Sequence, residues 1–351
     1  MSEIPETMPA AVLQGKGRLE IEDVPVPDVG PTDVLVEVSH CGVCGSDLHT
    51  VLDGWGKTGS IGGHEWSGVI AAVGADVTRW AVGENVVGGP TPRCGECAMC
   101  IAGKPSLCVE RDTPGVGGDW QGAFARYTKV DERELLRLPD GLSLREAALT
   151  EPLAVALHGI TNAGIVAGER VLVTGAGPIG ALTIAALLAM GVDDVTVSEP
   201  AAVRQELART LGAAKVIAPD QLIDPGPFDP GTVVPDAYDV VFECSGVGAA
   251  MEAGLSQLKR TGRLVLVGAG MARPRFDPNR ILLNELSITG AFCYDADGFE
   301  RALALLASEG FPTALLAEPD DVPLAGALSA MEALASGQIA AKVLIAPGAS
   351  S

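Results

Sequence analysis

The sequence has few basic residues, no long apolar run and no apolar amino-terminal segment. Among its 351 residues, Lys and Arg total 24 against 45 Asp and Glu, which gives a net charge of -21. A chain this acidic repels phosphate backbones and anionic lipid headgroups, so we expect neither nucleic-acid nor membrane partners. The longest apolar run, residues 181–190, is too short to span a bilayer.

The amino-terminal residues and the cysteines indicate a cellular compartment. The chain starts with MSEIPET, which is acidic and lacks the basic and apolar regions of a signal peptide. We therefore expect a cytoplasmic protein. In that compartment the eight cysteines indicate metal binding or thiolate chemistry rather than disulfides. The length and an apolar fraction of 47% are sufficient for two domains with buried cores.

Two hydrophobic patterns divide the chain. In residues 10–40 apolar and polar residues alternate, interrupted by prolines, which predicts antiparallel strands. Residues 144–164 are rich in Ala and Leu at helical spacing. Strands and helices then alternate, which predicts an α/β region with a parallel sheet and helices on both faces. The predicted strands there are 171–174, 195–198, 216–217, 238–242, 263–267 and 287–292; the predicted helices are 178–190, 203–211 and 249–258; the tail adds helices at 298–308 and 325–336 and a strand at 342–345.

Four cysteines in a short Gly- and Pro-containing segment predict a structural zinc site. They follow the spacing Cys94-x2-Cys97-x2-Cys100-x7-Cys108, and four thiolates can enclose a tetrahedral zinc ion without an open position. The segment has little apolar content, so the metal would supply much of its folding energy. The alternative is a set of unliganded thiols or a disulfide pair.

A glycine-rich loop predicts a dinucleotide site. The sequence Gly175-Ala-Gly177-Pro178-Ile179-Gly180 follows a predicted strand and opens a predicted helix, which is the context that a G-x-G-x-x-G motif requires. The glycines would let the backbone approach a pyrophosphate at the helix N-terminus. The alternative is a tight turn that binds no nucleotide.

Residues after the next strands bear on the choice of cofactor. Glu199 ends the second predicted strand, where an acidic residue would bind a ribose diol and repel a 2′-phosphate. This favours NAD over NADP, although Arg204 lies nearby and could reach a phosphate. Cys244 ends a further predicted strand and is expected near the cofactor rather than as a reactive thiol.

A third group of residues predicts a catalytic metal. Catalytic zinc usually has three protein ligands and one exchangeable position. The candidate ligands are Cys44, His64 and an oxygen of Glu65 or Glu151, a donor set that suits zinc. The alternative for His64 is a buried, hydrogen-bonded histidine with no metal.

The segment after Cys44 predicts a short helix. Ser46 or Asp47 is expected to cap it, which would place His49 one turn from Ser46 on the same face. Trp55 and Trp120 lie in Gly-rich loops near the metal motifs, and we expect them to line the substrate cleft.

These residues together resemble the zinc-dependent medium-chain dehydrogenase/reductase family along essentially the whole chain. Within that family they resemble the branch of sorbitol, threonine and butanediol dehydrogenases. The resemblance lies in Cys41-Gly-Val-Cys44-Gly-Ser46-Asp47-Leu-His49, Gly63-His64-Glu65-x2-Gly68-x5-Gly74-x2-Val77, the four-cysteine segment, Glu151-Pro-Leu-Ala154 and the glycine-rich loop.

The resemblance implies a two-domain architecture with two zinc ions. A GroES-like β-rich catalytic domain would comprise residues 1–150 and 293–351, and a Rossmann domain residues 151–292. The catalytic zinc would bind Cys44 and His64, with Glu65 and Glu151 as direct or water-bridged, exchangeable ligands.

The resemblance also implies roles for single residues. Asp47 would orient the imidazole of His64, accompanied by Lys342. Ser46 would accept the proton of the alcohol, and His49 would be the outer end of the proton relay. Further cofactor contacts are expected at Val267, Ala269 and Phe292.

The predicted function is NAD-dependent oxidation of a small alcohol, expected to be a secondary alcohol or polyol, to a carbonyl compound. Two alternatives remain: a catalytically silent, nucleotide-binding structural or regulatory relative, and a zinc-independent quinone or enoyl reductase. The family resemblance leads us to expect a homodimer or homotetramer.

Overall fold

The computed structural model describes residues 4–88, 94–110, 121–226 and 229–349. Trp120 lies outside these residues. The strands are β1 (Thr7–Gly15), β2 (Arg18–Pro25), β3 (Asp33–Gly42), β4 (Glu65–Val73), β5 (Asn85–Gly88), β6 (Tyr127–Asp131), β7 (Leu135–Arg137), β8 (Val171–Thr174), β9 (Val195–Ser198), β10 (Lys215–Ile217), β11 (Tyr238–Glu243), β12 (Leu258–Leu266), β13 (Ser287–Gly290) and β14 (Leu344–Ile345).

The α-helices are mostly short and follow the strands. They are α1 (Gly45–Leu48), α2 (Ala98–Ile101), α3 (Leu144–Ala147), α4 (Thr150–Ala163), α5 (Pro178–Ala189), α6 (Ala202–Leu211), α7 (Gly248–Ser256), α8 (Pro278–Asn284), α9 (Gly298–Leu306), α10 (Thr313–Leu316) and α11 (Ala327–Ala335). Within the described ranges, no helix is long and apolar enough to cross a membrane.

The chain divides into two compact units. The first runs to Pro152 and also contains Asp295–Ser336 and the segment from Lys342 onward. The second consists of Leu153–Tyr294 and Gly337–Ala341.

The first unit is built on antiparallel strands. One sheet has the order β14-β3-β4-β5-β7, with β6 also paired to β3, and β1 pairs with β2 in a separate ribbon. Apolar side chains from these strands, including Met8, Leu35 and Tyr127, form a buried cluster. The central position of β3 matters for the site, because the segment that follows it carries Cys44.

The second unit confirms the predicted doubly wound sheet. Its six parallel strands have the order β10-β9-β8-β11-β12-β13, so the chain reverses its winding direction between β8 and β11. All four residues of β8 are buried, and in α5 every residue from Gly180 to Leu187 is buried. A helix that is apolar all round fits such a position. In an open sheet of this order, ligands bind beyond the carboxyl ends of the strands at the switch point.

Several element boundaries differ from the sequence-based prediction. The Ala- and Leu-rich segment forms two helices, and the first of them is capped by Ser143, whose hydroxyl accepts from the backbone N–H of Glu146. Helix α7 ends at Ser256, because the chain has already entered β12 at Leu258. The β-propensity of the residues alone does not show where a strand begins to pair with its neighbour in the sheet.

The cap of α1 was predicted incorrectly. The N-cap residue is Cys44, not Ser46 or Asp47. Asp47 is the third residue of the helix, and its carboxylate accepts from the backbone N–H of Cys44 at 2.9 Å. This is the reciprocal half of a capping box, a role that acidic residues fill at that position.

A close backbone approach at Gly74 provides a stability test. A Cβ atom at Gly74 would overlap the carbonyl oxygens of Gly30 and Pro31, whereas a Cβ at the exposed Gly348 would meet no atom of the described residues within 4 Å. Gly74→Ala should therefore lower the free energy of unfolding by about 2–3 kcal/mol. Gly348→Ala should leave it unchanged. Thermal unfolding measures both; equal melting temperatures for the two variants would contradict the overlap.

Candidate metal centres and cofactor loop

The pairing of β3 with β4 brings the first group of metal-binding residues together. Gly42 at the end of β3 pairs with Glu65 at the start of β4. His64 therefore lies just before the paired region on one strand, and Cys44 just after it on the other. Donor atoms of Cys44, His64 and Glu65 all lie within 4.8 Å of one another. The structure thus brings together three of the four residues predicted for the catalytic metal.

Asp47 fixes the backbone of both ligand-bearing segments. Its side chain is buried, and its two oxygens accept from the N–H groups of Cys44 at 2.9 Å and Gly63 at 3.3 Å. Burial raises the pKa of Asp47, and the charge of His64 opposes this shift. Asp47 therefore holds the two segments in register and also acts electrostatically on the imidazole.

Lys342 forms a buried ion pair with Glu65. The two side chains are fully buried, and Lys342 Nζ lies 2.7 Å from Glu65 Oε1 and donates to the carbonyl of Val43 at 3.0 Å. Removing one partner of a buried ion pair typically costs about 3–5 kcal/mol. Gly42 makes room for this carboxylate, because a Cβ there would overlap Glu65 Oε2.

The second oxygen of Glu65 indicates that the site suits a cation. Glu65 Oε2 is buried and has no hydrogen-bond partner among the described residues. An unpaired carboxylate oxygen in the interior is unfavourable, so such an atom in a native fold requires an explanation such as a bound ion. A metal ligated beside Cys44 and His64 would supply that partner.

The surrounding charges support the same conclusion. Burial alone would lower the pKa of His64, but the negative charges of Cys44 and Asp47 outweigh it and raise that pKa well above its usual value. Burial also raises the pKa of Glu151 to about 7, with further repulsion from Glu65. The pocket therefore holds excess negative charge, which a divalent cation would neutralise.

Glu151 lies at the edge of this group. It is the second residue of α4 and is buried. Its negative charge contributes to the raised pKa of His64. It does not belong to the three-donor group found among the described residues. Thiolate, imidazole and carboxylate donors together fit zinc. Glu151 is near enough to interact electrostatically with His64 and Glu65.

The four predicted cysteines form a second cluster. Sulfur atoms of Cys94, Cys97, Cys100 and Cys108 all lie within 4.8 Å of one another, and all four are free of disulfides. Backbone N–H groups also face the sulfurs: Cys97 N lies 3.3 Å from Cys94 Sγ, and Cys100 N lies 3.5 Å from Cys97 Sγ. The N–H of Cys100 helps lower the pKa of Cys97 to about 6. Burial raises the pKa of Cys100 to about 12, so the four thiols are not equally acidic, but their convergent sulfur atoms fit a closed zinc site.

The predicted proton-relay residues lie on one continuous turn. Ser46 is exposed as the second residue of α1, and His49 opens the π-helical turn His49–Asp53. His49 Nδ1 lies 2.6 Å from a carboxylate oxygen of Asp53, and its ring stacks on Trp55. Asp53 was missed at the level of sequence, although its spacing of four residues from His49 is a recognisable signal for a helical side-chain pair.

The glycine-rich loop has the geometry that its motif predicts. It connects β8 to α5, whose N-cap is Gly177 and whose first residue is Pro178. Gly175 has a φ of +87°, and a Cβ at Gly180 would overlap the carbonyl of Gly175. Glycine is therefore required at both positions. The loop presents backbone N–H groups at a helix N-terminus, which suits a pyrophosphate.

Glu199 and Arg204 both lie beside this loop. Glu199 is buried, and its oxygens accept from the N–H groups of Ala176 at 2.7 Å and Ala201 at 2.8 Å. Arg204 Nη1 would lie 3.7 Å from a Cβ on Gly177, while its Nε donates to the carbonyl of Ile339 at 3.0 Å. An acid and a base thus flank the same loop.

The remaining predicted cofactor residues follow the carboxyl ends of other strands. Cys244 follows β11, and burial raises its pKa, so this thiol is not activated as a nucleophile. The other three predicted positions follow β12 and β13: Val267, Ala269 and Phe292.

Glu243 was missed, although it shapes this edge of the sheet. It is the fully buried last residue of β11, and its carboxyl group accepts from the N–H groups of Ser245 at 2.8 Å and Gly246 at 3.0 Å. Ser245 in turn faces Gly175, where a Cβ would approach its side chain to 2.8 Å. Glu243 therefore fixes the turn that adjoins the glycine-rich loop. A glutamate at a strand end carries no pattern that identifies this role.

Two family models match most of the chain. An alcohol dehydrogenase GroES-like domain matches residues 30–140, and a zinc-binding dehydrogenase model matches residues 178–308. The first covers Cys44, His64 and the four-cysteine segment, and the second begins in the glycine-rich loop.

Similar proteins are dehydrogenases. Sorbitol dehydrogenase of Bacillus subtilis is 34% identical over 320 residues, which cover 87% of each chain. Among solved structures, 2R,3R-butanediol dehydrogenase from Bacillus subtilis has a TM-score of 0.84 and 30% identity, covering 97% of this chain and 100% of the other. A zinc-binding dehydrogenase from Sinorhizobium meliloti, solved with NADP, has a TM-score of 0.84 and 30% identity, with coverage of 98% and 100%.

The two donor clusters predict two zinc ions per chain, each of which should be lost when a ligand of its own cluster is mutated. The wild-type protein should bind about two zinc ions, one in a catalytic site and one in a closed site. His64→Ala should lose one ion and Cys97→Ala the other, as measured by elemental analysis after dialysis. His158→Ala is the matched control and should keep both. An unchanged zinc content in His64→Ala would contradict the assignment of the first site.

Proposed function

The chain belongs to the zinc-dependent medium-chain dehydrogenase/reductase family, and we propose that it oxidises a secondary alcohol or polyol to a carbonyl compound with NAD. The observation that carries this proposal is the donor group of Cys44, His64 and Glu65, in which one buried carboxylate oxygen has no hydrogen-bond partner within the described ranges. The intact glycine-rich loop in the second unit supports it. Neither the silent relative nor the zinc-independent reductase accounts for both donor clusters.

The residues around the first metal site have distinct tasks. Zinc held by Cys44, His64 and a carboxylate oxygen would polarise the alcohol oxygen as a Lewis acid, and NAD would supply the hydride acceptor. Glu65 is the proposed exchangeable ligand, with one oxygen restrained by Lys342. Glu151 is the second proposed exchangeable ligand.

Ser46 and His49 are proposed to move the proton. A hydroxyl can accept one proton while it donates its own, so Ser46 can pass the alcohol proton onward. Residues three apart on a helical turn face the same side, and His49 is three residues beyond Ser46. His49 would then release the proton to water.

The cofactor preference rests on Glu199. A carboxylate oxygen has two lone pairs, so Glu199 can accept from ribose hydroxyls in addition to the backbone N–H groups that it already binds. Its negative charge would repel a 2′-phosphate, which supports NAD. Arg204, beside Gly177, would attract that phosphate and would therefore weaken the preference for NAD over NADP.

The substrate is proposed to be small, and the protein is proposed to act in the cytoplasm as a homodimer or homotetramer. Support for a polyol or vicinal diol comes from the named activities of the sorbitol and butanediol dehydrogenases that the chain resembles.

A substrate panel tests the reaction class and the cofactor together. Polyols, vicinal diols, amino alcohols and simple primary alcohols should be compared by NADH formation, with NADP in a parallel series. We expect the highest kcat/KM for a polyol or vicinal diol with NAD. Turnover confined to primary alcohols, or a preference for NADP, would contradict the corresponding part of the proposal.

The proton-transfer role of Ser46 has its own test. Ser46→Ala should lower kcat by about 100-fold, because general acid–base catalysis typically contributes a factor of this order. Zinc content and the dissociation constant of NADH should not change. Ser308→Ala, at an exposed serine after α9, is the matched control. An unchanged kcat in Ser46→Ala would remove the hydroxyl from the mechanism.

A further inference from the structure

The chain around His49 folds back on itself. His49 opens a π-helical turn that ends at Asp53, and Gly54 then adopts a left-handed conformation with a φ of 84°. The carbonyl of His49 accepts from the N–H of Gly54 and from the N–H of Trp55 at 3.2 Å. π-Helical turns are rare and often occur at functional sites. This turn brings two later side chains against one imidazole.

The two side chains contact different parts of the ring. Asp53 Oδ2 lies 2.6 Å from His49 Nδ1, which is the edge of the ring. Trp55 stacks on the face, with ring centroids 4.5 Å apart and an interplanar angle of 17°. The stacking on Trp55 thus fixes the plane of the imidazole, and the contact with Asp53 restricts rotation of the ring within that plane. Trp55 remains 51% exposed, so its position is explained by this stacking more than by burial in a core.

The contact with Asp53 selects one tautomer. A carboxylate accepts hydrogen bonds and cannot donate them, so the hydrogen of a neutral imidazole must lie on Nδ1. Nε2 is then the ring nitrogen with a lone pair. The partner of one imidazole nitrogen commonly determines the chemistry of the other in this way.

We infer that Asp53 and Trp55 are positioning residues for proton transfer through His49. Asp53 keeps the hydrogen on Nδ1, so that Nε2 takes up the proton released by the alcohol and gives it to water. Nδ1 keeps its own hydrogen throughout, and Asp53 neither gains nor loses a proton. Trp55 holds the plane of the ring. The inference rests on the proposed role of His49 in the reaction.

Nitrogen-15 NMR of histidine-labelled protein tests the tautomer without any turnover. In a pH series, the signals of the neutral His49 imidazole should be those of an Nδ1–H tautomer in the wild type. His49→Gln identifies those signals. In Asp53→Ala they should move toward the Nε2–H form, and in Asp140→Ala, a matched change at an exposed aspartate, they should not. An unchanged tautomer in Asp53→Ala overturns the inference.

Kinetics test whether the contacts act through His49. Asp53→Ala and His49→Gln should each lower kcat by about 10-fold or more, with zinc content and the NADH dissociation constant unchanged. The double variant should be no slower than His49→Gln alone, because residues that act as a unit are not additive. If Asp53→Ala lowers kcat by the same factor in the His49→Gln background as in the wild type, the inference is overturned.

The role of Trp55 and the proposed relay through His49 can be tested separately. Trp55→Phe retains an aromatic face and should keep most of kcat, whereas Trp55→Ala should resemble Asp53→Ala; equal rates for the two Trp55 variants overturn the role of the stacking. A wild-type kcat in His49→Gln would overturn the relay on which the inference rests. The tautomer measurement would still show in that case whether Asp53 positions the ring.

Discussion

The structure of the first unit depends on a concentration of negative charge around His64. Cys44, Asp47, Glu65 and Glu151 act on one buried pocket, in which Lys342 compensates a single carboxylate. Buried charges are tolerated when they are paired or coordinate a metal. Glu65 Oε2 lies in the interior and has no hydrogen-bond partner in the part of the chain that the structure describes. A divalent cation would compensate both the excess charge and the unpaired oxygen, so the same feature that would destabilise a metal-free fold makes the pocket suitable for a zinc ion.

Close backbone approach is the second constraint, and it operates in both units. In the first unit, Gly42 allows the carboxylate of Glu65 to lie against β3; in the second, Gly180 allows α5 to begin directly against the loop after β8. Side chains at these positions would separate the segments whose functional groups must converge. Carboxylates then fix the backbone: Asp47 joins the two ligand segments, and Glu243 holds the turn beside the cofactor loop. The first donor group and the cofactor loop are therefore each supported by a buried acid that accepts from backbone N–H groups.

Local patterns were sufficient to predict the doubly wound sheet and the four-cysteine cluster, whereas the group of Cys44, His64 and Glu65 was predicted with the help of the family resemblance. Alternation of strands and helices predicted the doubly wound sheet, and the spacing of the four cysteines predicted their convergence. The ion pair of Lys342 with Glu65 was not predicted, since it joins positions 277 residues apart and no local pattern records it. The predicted cap of α1 was wrong, because Asp47 there serves as the third helical residue. The role of Asp53 depends on a π-helical turn, which side-chain spacing alone does not reveal.

We propose above all that the pocket around His64 holds a zinc ion bound by residues at the adjoining ends of β3 and β4. Anomalous diffraction from crystals of the purified protein, recorded on both sides of the zinc absorption edge, tests it most directly. We predict a peak at about 2.3 Å from Cys44 Sγ and about 2.1 Å from a ring nitrogen of His64, the usual zinc–sulfur and zinc–nitrogen distances. A second peak should lie among the four clustered cysteines and serves as an internal standard. A peak at the cysteine cluster with none beside His64 would contradict the account.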